Sequence, residues 1–320
     1  MTTHLTRRTA AELSFEQTVP RALAHRHNLA EVMIADSAET GDDSYAVAFH
    51  VPRAHLLWFD RHPAFHDTFA AAEAARQAAF VVIHRHLGVP VGLPFTMHRF
   101  DFEVIDHASF ADDRRSALQG TFHYRTSNRD RRGDQQGNLS FEGTAQIGDE
   151  TALTFTGDVV FLPGDDYLAL RAFQRKRRPA ASAPAAPVPP LPPERVGRRD
   201  PRNVVVGEPD GDTYPIRMDR DHPAFFDHDY DHAPGPLCVE AFRQAALDAA
   251  QRAGLITEPD RTAVVAVAAT FTDFAEIDAA VECVVELGPA SATGEIDAAV
   301  RLCQFGVTIA DGTLLLRTLH

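Results

Sequence analysis

Two short blocks of sequence occur twice in the same order, and this duplication constrains the chain more than any other feature. His-Pro-Ala-Phe stands at 62–65 and again at 222–225, whereas Glu-Ala-x-Arg-Gln-Ala-Ala stands at 73–79 and again at 240–246. The second pair of blocks is spaced more widely than the first (240 minus 73 against 222 minus 62), so we expect seven inserted residues between the blocks in the second half. Ordered repetition of this kind predicts duplicated supersecondary units.

A basic and proline-rich segment separates the two copies. Four consecutive basic residues at 175–178 are followed by Pro, Ala and Ser with few interruptions through 193. Such a composition does not form a packed core and predicts an exposed, semi-extended linker. We therefore expect a first repeat at 15–174, a linker at 175–198 and a second repeat at 199–320.

Each half has the same order of predicted secondary structure: a strand, one long alanine-rich helix and four further strands. The helices are expected at 68–86 and at about 236–253, the second ended by Gly254. The predicted strands are 45–51, 96–105, 117–126, 139–146 and 151–162 in the first half, and 214–218, 262–274, 279–287, 294–304 and 307–316 in the second. The pattern predicts an α+β fold in which an antiparallel sheet wraps around a long central helix in each repeat.

Charge and composition exclude several classes of partner. The chain carries 31 basic and 45 acidic residues, a net charge of −14, which opposes binding to nucleic acid or to an anionic membrane surface. No apolar run approaches the length of a membrane span. The three cysteines, Cys238, Cys283 and Cys303, form no close pair, which fits a reducing cytoplasm, and no cofactor is expected.

The alanine-rich helices leave few polar side chains in what should be enclosed positions. A helix surrounded by a curved sheet needs small residues for close approach, so its polar side chains must be paired or functional. Glu73, Arg76, Glu240 and Arg243 are those side chains.

The entry to the second helix resembles a known family. Asp-His-Ala-Pro-Gly at 231–235, leading into Glu-Ala-Phe-Arg-Gln-Ala-Ala at 240–246, is similar to the A-factor biosynthesis (AfsA-type, γ-butyrolactone synthase) family. Glu-Ala-Ala-Arg-Gln at 73–77 and Gly-Val-Pro-Val-Gly at 88–92 support the resemblance in the first half. This chain departs from the family pattern at Leu93-Pro94, where His and Gln are usual, and at Pro236, where a bulky apolar residue is common.

The resemblance implies a tandem double hot dog that acts as an intrachain pseudo-dimer. It implies transfer of a β-ketoacyl group from acyl carrier protein, or from acyl-CoA, to the hydroxyl of dihydroxyacetone phosphate. The product would be a precursor of a γ-butyrolactone, butenolide or furan signalling molecule that regulates antibiotic production. Two alternatives remain open at this point: a hot-dog dehydratase or thioesterase, and a noncatalytic acyl-binding regulatory module.

Acyl transfer to an alcohol needs a base, donors for the carbonyl oxygen and exclusion of water. The helix start at Gly235 supplies free N–H groups, and Glu240 in that helix is the expected base. Arg243 either binds the acceptor phosphate or holds Glu240, and Gln244 is expected to contact substrate. The alternative interpretation of Glu240 and Arg243 is an ordinary i,i+3 ion pair.

The loop before this helix offers further candidates. His228, Asp231 and His232 are expected to act as acid, base or orienting groups; the alternative is that the histidines are solvated and the aspartate is a cap. The two histidines are four residues apart, a spacing that suits a metal only on a helix, and Pro234 argues against a helix there, so no metal is predicted.

The first half contributes a second, incomplete set. Glu73, Arg76 and Gln77 are expected to line a pseudo-equivalent site that completes the other site across the interface between halves, or to form a buried structural pairing. Cys238 is expected in the core. Basic clusters at Arg129, Arg131 and Arg132 and at 175–178 either dock an acidic carrier protein or are solvated.

Overall fold

The computed structural model describes residues 12–62, 64–127, 136–179 and 186–319. Three α-helices occur in these ranges: α1 (Thr68–Val81, continued by a π-helical turn at Val82–His86), α2 (Gly164–Lys176) and α3 (Gly235–Arg252). The strands are β1 (Ile34–Gly41), β2 (Ser44–Val51), β3 (Phe95–Val104), β4 (Leu118–Ser127), β5 (Gly137–Ile147), β6 (Glu150–Phe161), β7 (Thr213–Pro215), β8 (Thr262–Phe271), β9 (Glu282–Ala290), β10 (Ile296–Gln304) and β11 (Val307–Thr318).

All these strands join in one antiparallel sheet with the order β1-β2-β4-β5-β6-β3-β8-β11-β10-β9-β7. The halves meet where β3 pairs with β8, with Arg99 opposite Thr270 and Glu103 opposite Ala266. Each half therefore contributes a contiguous part of the sheet. The predicted α+β double hot dog is confirmed.

Each long helix packs mainly on its own part of the sheet. α1 packs on β1, β2 and β4 and also contacts β8 of the other half, and α3 packs on β8 to β11. Every residue of α1 except Arg76 is buried, and its alanines allow the strands to approach closely. No helix in the described ranges has both the length and the hydropathy that crossing a bilayer requires.

Two elements were not expected from the sequence. β1 is a mixed small and polar edge strand, so its alternation is weak. α2 follows β6 directly and runs to Lys176, into the segment expected to be a linker.

The expectation of an exposed linker is wrong toward the C-terminal end of 175–198, whereas residues 175–177 are exposed. Leu191 and Val196 are buried, and the N–H of Leu191 donates to the carbonyl of Val206 at 3.0 Å. Apolar side chains within a proline-rich stretch pack here against the second repeat. Residues 180–185 lie outside the described ranges, and the exact boundary between repeats stays a prediction.

The hydrogen bonds correct the register of the duplication. His222 accepts backbone N–H groups two and three residues ahead at Nδ1 and lies 3.0 Å from Asn203 through Nε2. His55 makes the same bonds, with Glu31 in place of Asn203 at 3.1 Å. His55 is thus the counterpart of His222, and the spacing between these two histidines equals the spacing between the helix blocks (222 minus 55 equals 240 minus 73). The expected insertion of seven residues is wrong, because His55, and not His62, occupies the place that His222 has in the second half.

Candidate active site

A cavity of about 670 Å³ lies between α1, α2, β3 and the loop that enters α3. Its apolar wall includes Phe69, Phe100, Phe102, Leu302 and Ile309. Its polar wall includes Glu73, Arg76, His228, Asp231 and His232. The structure therefore brings together candidates from both halves of the chain.

Glu73 anchors Arg76 at this cavity. Its carboxylate accepts two hydrogen bonds from Arg76 at 2.8 Å, one from Gln77 at 3.0 Å, and a contact from the buried Arg26. Burial opposes ionisation of Glu73, but the two arginines outweigh it and lower its pKa to about 2. Glu73 is therefore an anion that positions Arg76, whose Nη1 has no acceptor among the described residues.

Two histidine–aspartate pairs face the cavity. His228 Nδ1 lies 2.6 Å from Asp227, and His232 Nδ1 lies 2.6 Å from Asp231. Burial alone would raise the pKa of each aspartate. The hydrogen bond from His228 and the charge of Arg26 instead lower the pKa of Asp227 to about 2. The hydrogen bonds from His232 and Arg171 lower the pKa of Asp231 in the same way. An ionised carboxylate accepts the Nδ1–H, which leaves Nε2 of each imidazole able to take a proton.

Helix α2 holds the second of these pairs in place. The Tyr167 hydroxyl donates to Asp231 at 2.9 Å, and Arg171 donates to the same carboxylate at 2.8 Å. Arg171 is buried and also pairs with the buried Glu276 at 2.8 Å. Sequence reasoning missed these residues; the run from 164 to 176 without an internal Gly or Pro, preceded by Pro163, was the available signal for a helix.

The N-terminus of α3 opens onto the cavity without a side-chain cap. Pro234 is its N-cap residue, and the N–H groups of Gly235 and Leu237 have no intrahelical acceptor. Pro236 has no N–H to offer. A Cβ at Gly235 would meet nothing within 4 Å, so the approach to these donors is open.

Cys238, one turn further along, is a core residue as expected. Its side chain is buried, and burial raises the pKa of the thiol to about 12. A thiolate is therefore disfavoured there.

Glu240 and Arg243 lie in the corresponding cluster of the second half, which is closed. Glu240 accepts from Arg198 at 2.9 Å, from Arg243 at 2.8 Å and from Gln244 at 2.5 Å. Asp67 lies 2.8 Å from Arg243 and fills the space beside it, which leaves a cavity of about 60 Å³. Burial, reinforced by Asp67 and opposed by Arg198, raises the pKa of Glu240 to about 7. The structure thus separates Glu240 and Arg243 from the histidine–aspartate pairs.

The glutamines expected to bind substrate are tied to the backbone. Gln77 accepts a hydrogen bond from the N–H of Met33 and donates one to the carbonyl of Glu31. Gln244 likewise accepts from the N–H of Val205 and donates to the carbonyl of Asn203. Both are fully buried and line neither cavity. They hold the helices to the segments that carry the arginines.

A difference at one aligned position explains why the cluster around Arg76 is open and the cluster around Arg243 is closed. In the register that aligns the two helices, Asp67 corresponds to Pro234. Asp67 caps α1 by accepting the N–H of Phe69 at 3.0 Å and also neutralises Arg243. Pro234 can do neither, so both the start of α3 and the face of Arg76 are left free.

In each half, one aspartate accepts a backbone hydrogen bond from the other half. Asp227 accepts the N–H of His27 at 2.9 Å, and Asp60 accepts the N–H of Arg199 at 2.9 Å. Each loop therefore fixes the arginine-bearing turn of the opposite half. This supports the expectation that residues from one half complete the site of the other.

The remaining polar candidates are placed as follows. Arg175 pairs with Glu276 at 3.0 Å and Arg178 with Asp273 at 2.5 Å, so both are engaged near the cavity. Arg129, Arg131 and Arg132 lie outside the described residues. Within the described ranges, no group of three or more His, Cys, Asp or Glu side chains could hold a metal ion.

Comparison with known proteins places the chain in a family. The model for the A-factor biosynthesis hotdog domain matches residues 8–163 and 180–320. The chain belongs to this family. A relative from Streptomyces coelicolor, named 2-oxo-3-(phosphooxy)propyl 3-oxoalkanoate synthase, is 31% identical over 87% of this chain and 86% of its own. A relative from Streptomyces virginiae with the same name is 29% identical over 72% and 76%.

The family fold is also seen in a solved structure. The 12:0-ACP thioesterase from Umbellularia californica aligns with a TM-score of 0.52, over 87% of this chain and 98% of that chain. Their sequence identity is 9%, so this likeness concerns the hot-dog fold alone.

Proposed function

We propose that this protein is an acyltransferase that moves a 3-oxoacyl group from a thioester to the hydroxyl of dihydroxyacetone phosphate. The observation that carries the proposal is one cavity that combines an apolar wall, an uncapped helix N-terminus, histidine–aspartate pairs and Arg76. The name shared by the Streptomyces relatives describes the ester of these two components.

His232 is the proposed base. Its Nε2 takes the proton of the acceptor hydroxyl while Asp231 stabilises the resulting imidazolium. The alkoxide attacks the thioester carbonyl, and the N–H groups of Gly235 and Leu237 hold the oxyanion. When the tetrahedral intermediate collapses, the C–S bond breaks and the thiolate takes the proton from His232. The products are the phosphorylated ester and a free thiol.

Arg76 is the proposed contact for the acceptor phosphate. Glu73 uses its Nε and Nη2, which leaves Nη1 for a phosphate oxygen at the cavity wall. His228, which is paired with Asp227, also lines the cavity and contributes to orienting the acceptor. In this proposal Glu240, Arg243 and Gln244 stabilise the closed half instead.

The partners follow from the same proposal. We expect acyl carrier protein as the donor, the two repeats acting as an intrachain pseudo-dimer, and action in the cytoplasm, where the three free cysteines stay reduced. The product would feed synthesis of a butyrolactone-type signalling molecule.

The test is mass spectrometry of a 3-oxoacyl thioester incubated with the protein, with and without dihydroxyacetone phosphate. The proposal requires the phosphate ester, formed only when the acceptor is present. Free acid or enoyl thioester as the main product would instead identify a thioesterase or dehydratase. No turnover at all would favour an acyl-binding module.

Matched arginine variants locate the site. Arg76→Lys should reduce kcat/KM for dihydroxyacetone phosphate more than for dihydroxyacetone, because lysine cannot be held by Glu73 in the same two-bond geometry. Arg243→Lys, the same change in the closed cluster, should affect both acceptors little. Equal effects of the two substitutions would contradict the assignment to Arg76.

A further inference from the structure

His25 occupies a backbone conformation that favours glycine. It ends the 3₁₀ turn Arg21–Ala24 with φ 52° and ψ 47°. In the second half the corresponding turn, Pro193–Val196, ends at Gly197 with φ 68°. The next residue in each half, Arg26 or Arg198, binds the helix glutamate. The first half therefore keeps a side chain where the second half uses glycine.

The His25 ring is held firmly against the cavity wall. It stacks on Phe80 with ring centroids 4.1 Å apart and meets the edge of Phe95 at 4.9 Å. Its Nε2 lies 2.6 Å from Nε2 of His84, whose Nδ1 lies 2.8 Å from the carbonyl of Val89. The ring is thus fixed in position and orientation.

These contacts also fix the tautomers. The Val89 carbonyl can only accept, so Nδ1 of His84 carries a proton and, in the neutral ring, Nε2 of His84 is an acceptor. Nε2 of His25 must then donate, which leaves Nδ1 of His25 as an unprotonated nitrogen. No hydrogen-bond partner for that nitrogen occurs among the described residues. A fixed imidazole beside the cavity therefore has one open nitrogen.

The side-chain charges around His25 cancel one another. Arg26 and Arg76 are balanced by Glu73 and Asp227, which bind them or lie within ion-pair distance. A phosphate dianion placed against Arg76 would leave two negative charges without compensation. A proton taken up by the phosphate, which then binds as a monoanion, would offset one of them.

Nδ1 of His25 is free to accept a hydrogen bond from such a protonated phosphate, whereas Nδ1 of His228 already lies against Asp227. The charged or titratable groups near His25 are His84, Arg76, Arg26 and His228. Burial and these neighbours lower the pKa of His25 to about 3, so its ring is neutral before a ligand binds.

We propose that His25 is a phosphate-binding residue of the acceptor site, where its unprotonated Nδ1 accepts a hydrogen bond from the P–OH group of the phosphate bound by Arg76. The ligand class is a phosphate monoester, bound as the monoanion. The inference rests on the proposed function for the identity of the acceptor. The proton on the phosphate comes from solvent, and Nε2–H of His25 continues to donate to Nε2 of His84.

Isothermal titration calorimetry of the full-length protein with dihydroxyacetone phosphate tests the inference without an acyl donor. Titrations at pH 7 in buffers of different ionisation enthalpy should show proton uptake on binding. His25→Gly suits the positive φ, so the variant should fold. It should weaken binding by about tenfold or more, which is the loss expected for one hydrogen bond to a charged group, and it should reduce the proton uptake. Inorganic phosphate is the second probe.

The controls separate this inference from the catalytic proposal. His123→Asn changes an exposed histidine on β4 and should leave binding unchanged, while His25→Asn tests a second residue that tolerates the left-handed conformation. Unchanged affinity and proton uptake in His25→Gly, or a wild-type protein that binds neither probe, would overturn the inference. Failure of ester formation alone would instead refute the proposed function.

Discussion

The carboxylate of Asp67 lies 2.8 Å from Nη1 of Arg243 and occupies the space that stays open beside Arg76 in the other half. The same side chain caps α1, whereas the start of α3 has no side-chain cap. Asp67 therefore closes the second cluster by forming an ion pair with Arg243, and it also caps the N-terminus of α1.

Glu73→Gln and Glu240→Gln should separate catalysis from stability. Loss of the Glu73 charge leaves Arg26 and Arg76 without their shared anion, so kcat/KM should fall by about a hundredfold or more, equivalent to about 3 kcal/mol for a broken buried pair. Glu240→Gln should retain activity within about threefold because Glu240 does not line the cavity. Steady-state kinetics with circular dichroism as a folding control measures both, and the reverse order of effects would return catalysis to the second helix.

The stability of Glu240→Gln relative to wild type should depend on pH. Burial raises the pKa of Glu240 from 4.5 to about 7, so the folded chain holds a proton that the unfolded chain loses first. Wild type therefore has its full contribution below pH 4.5 and loses it as pH rises through 7. Urea unfolding between pH 4 and 8 should show the variant gaining free energy of unfolding relative to wild type over this range.

Glu73→Gln provides the opposite case. The pKa of Glu73 falls from 4.5 to about 2, so its contribution is present above pH 4.5 and is lost as pH falls toward 2. The difference between this variant and wild type should be flat from pH 5 to 8. Equal slopes for the two variants would show that the two glutamates do not differ in ionisation.

Tyr167→Phe should lower kcat while leaving the fold intact. The substitution removes the hydroxyl that donates to Asp231 but keeps the ring against Phe274. Loss of one such bond is worth about 1 kcal/mol, so a decrease of about fivefold is expected, with a changed pH profile because His232 depends on Asp231. Phe173→Leu on the exposed face of α2 is the matched control, and an equal decrease there would indicate a general effect on the helix.

A cut within 180–185 should leave the two halves associated. β3 and β8 pair in one sheet, and Asp60 and Asp227 reach across to the opposite half. A specific protease site inserted in this segment, followed by nondenaturing gel filtration, should give one peak that contains both fragments. Two separate peaks would mean that the paired strands and exchanged aspartates are too weak to hold the halves together.

The sequence predicted the two helices and most strands because alanine-rich runs and alternating residues are local signals. It also identified Glu73, Arg76, His228, Asp231 and His232 as candidates, together with Glu240 and Arg243, which lie in the closed half. It did not reveal which helix faces the open cavity, since that depends on whether Asp67 or Pro234 stands opposite an arginine from the other half. The role of α2 was missed for the same reason: Tyr167 and Arg171 become informative only when they contact Asp231.

The contacts that Asp60 and Asp227 make with the opposite half form only after much of the second half has been synthesised. The turn at His27 is synthesised 200 residues before the carboxylate that binds it, and β3 is made long before β8. A ribosome that has completed only the first half therefore displays an unpaired strand edge and a cavity that lacks one wall. Premature termination would release a fragment prone to association and without activity, so synthesis of the last strands sets the moment at which the enzyme first works.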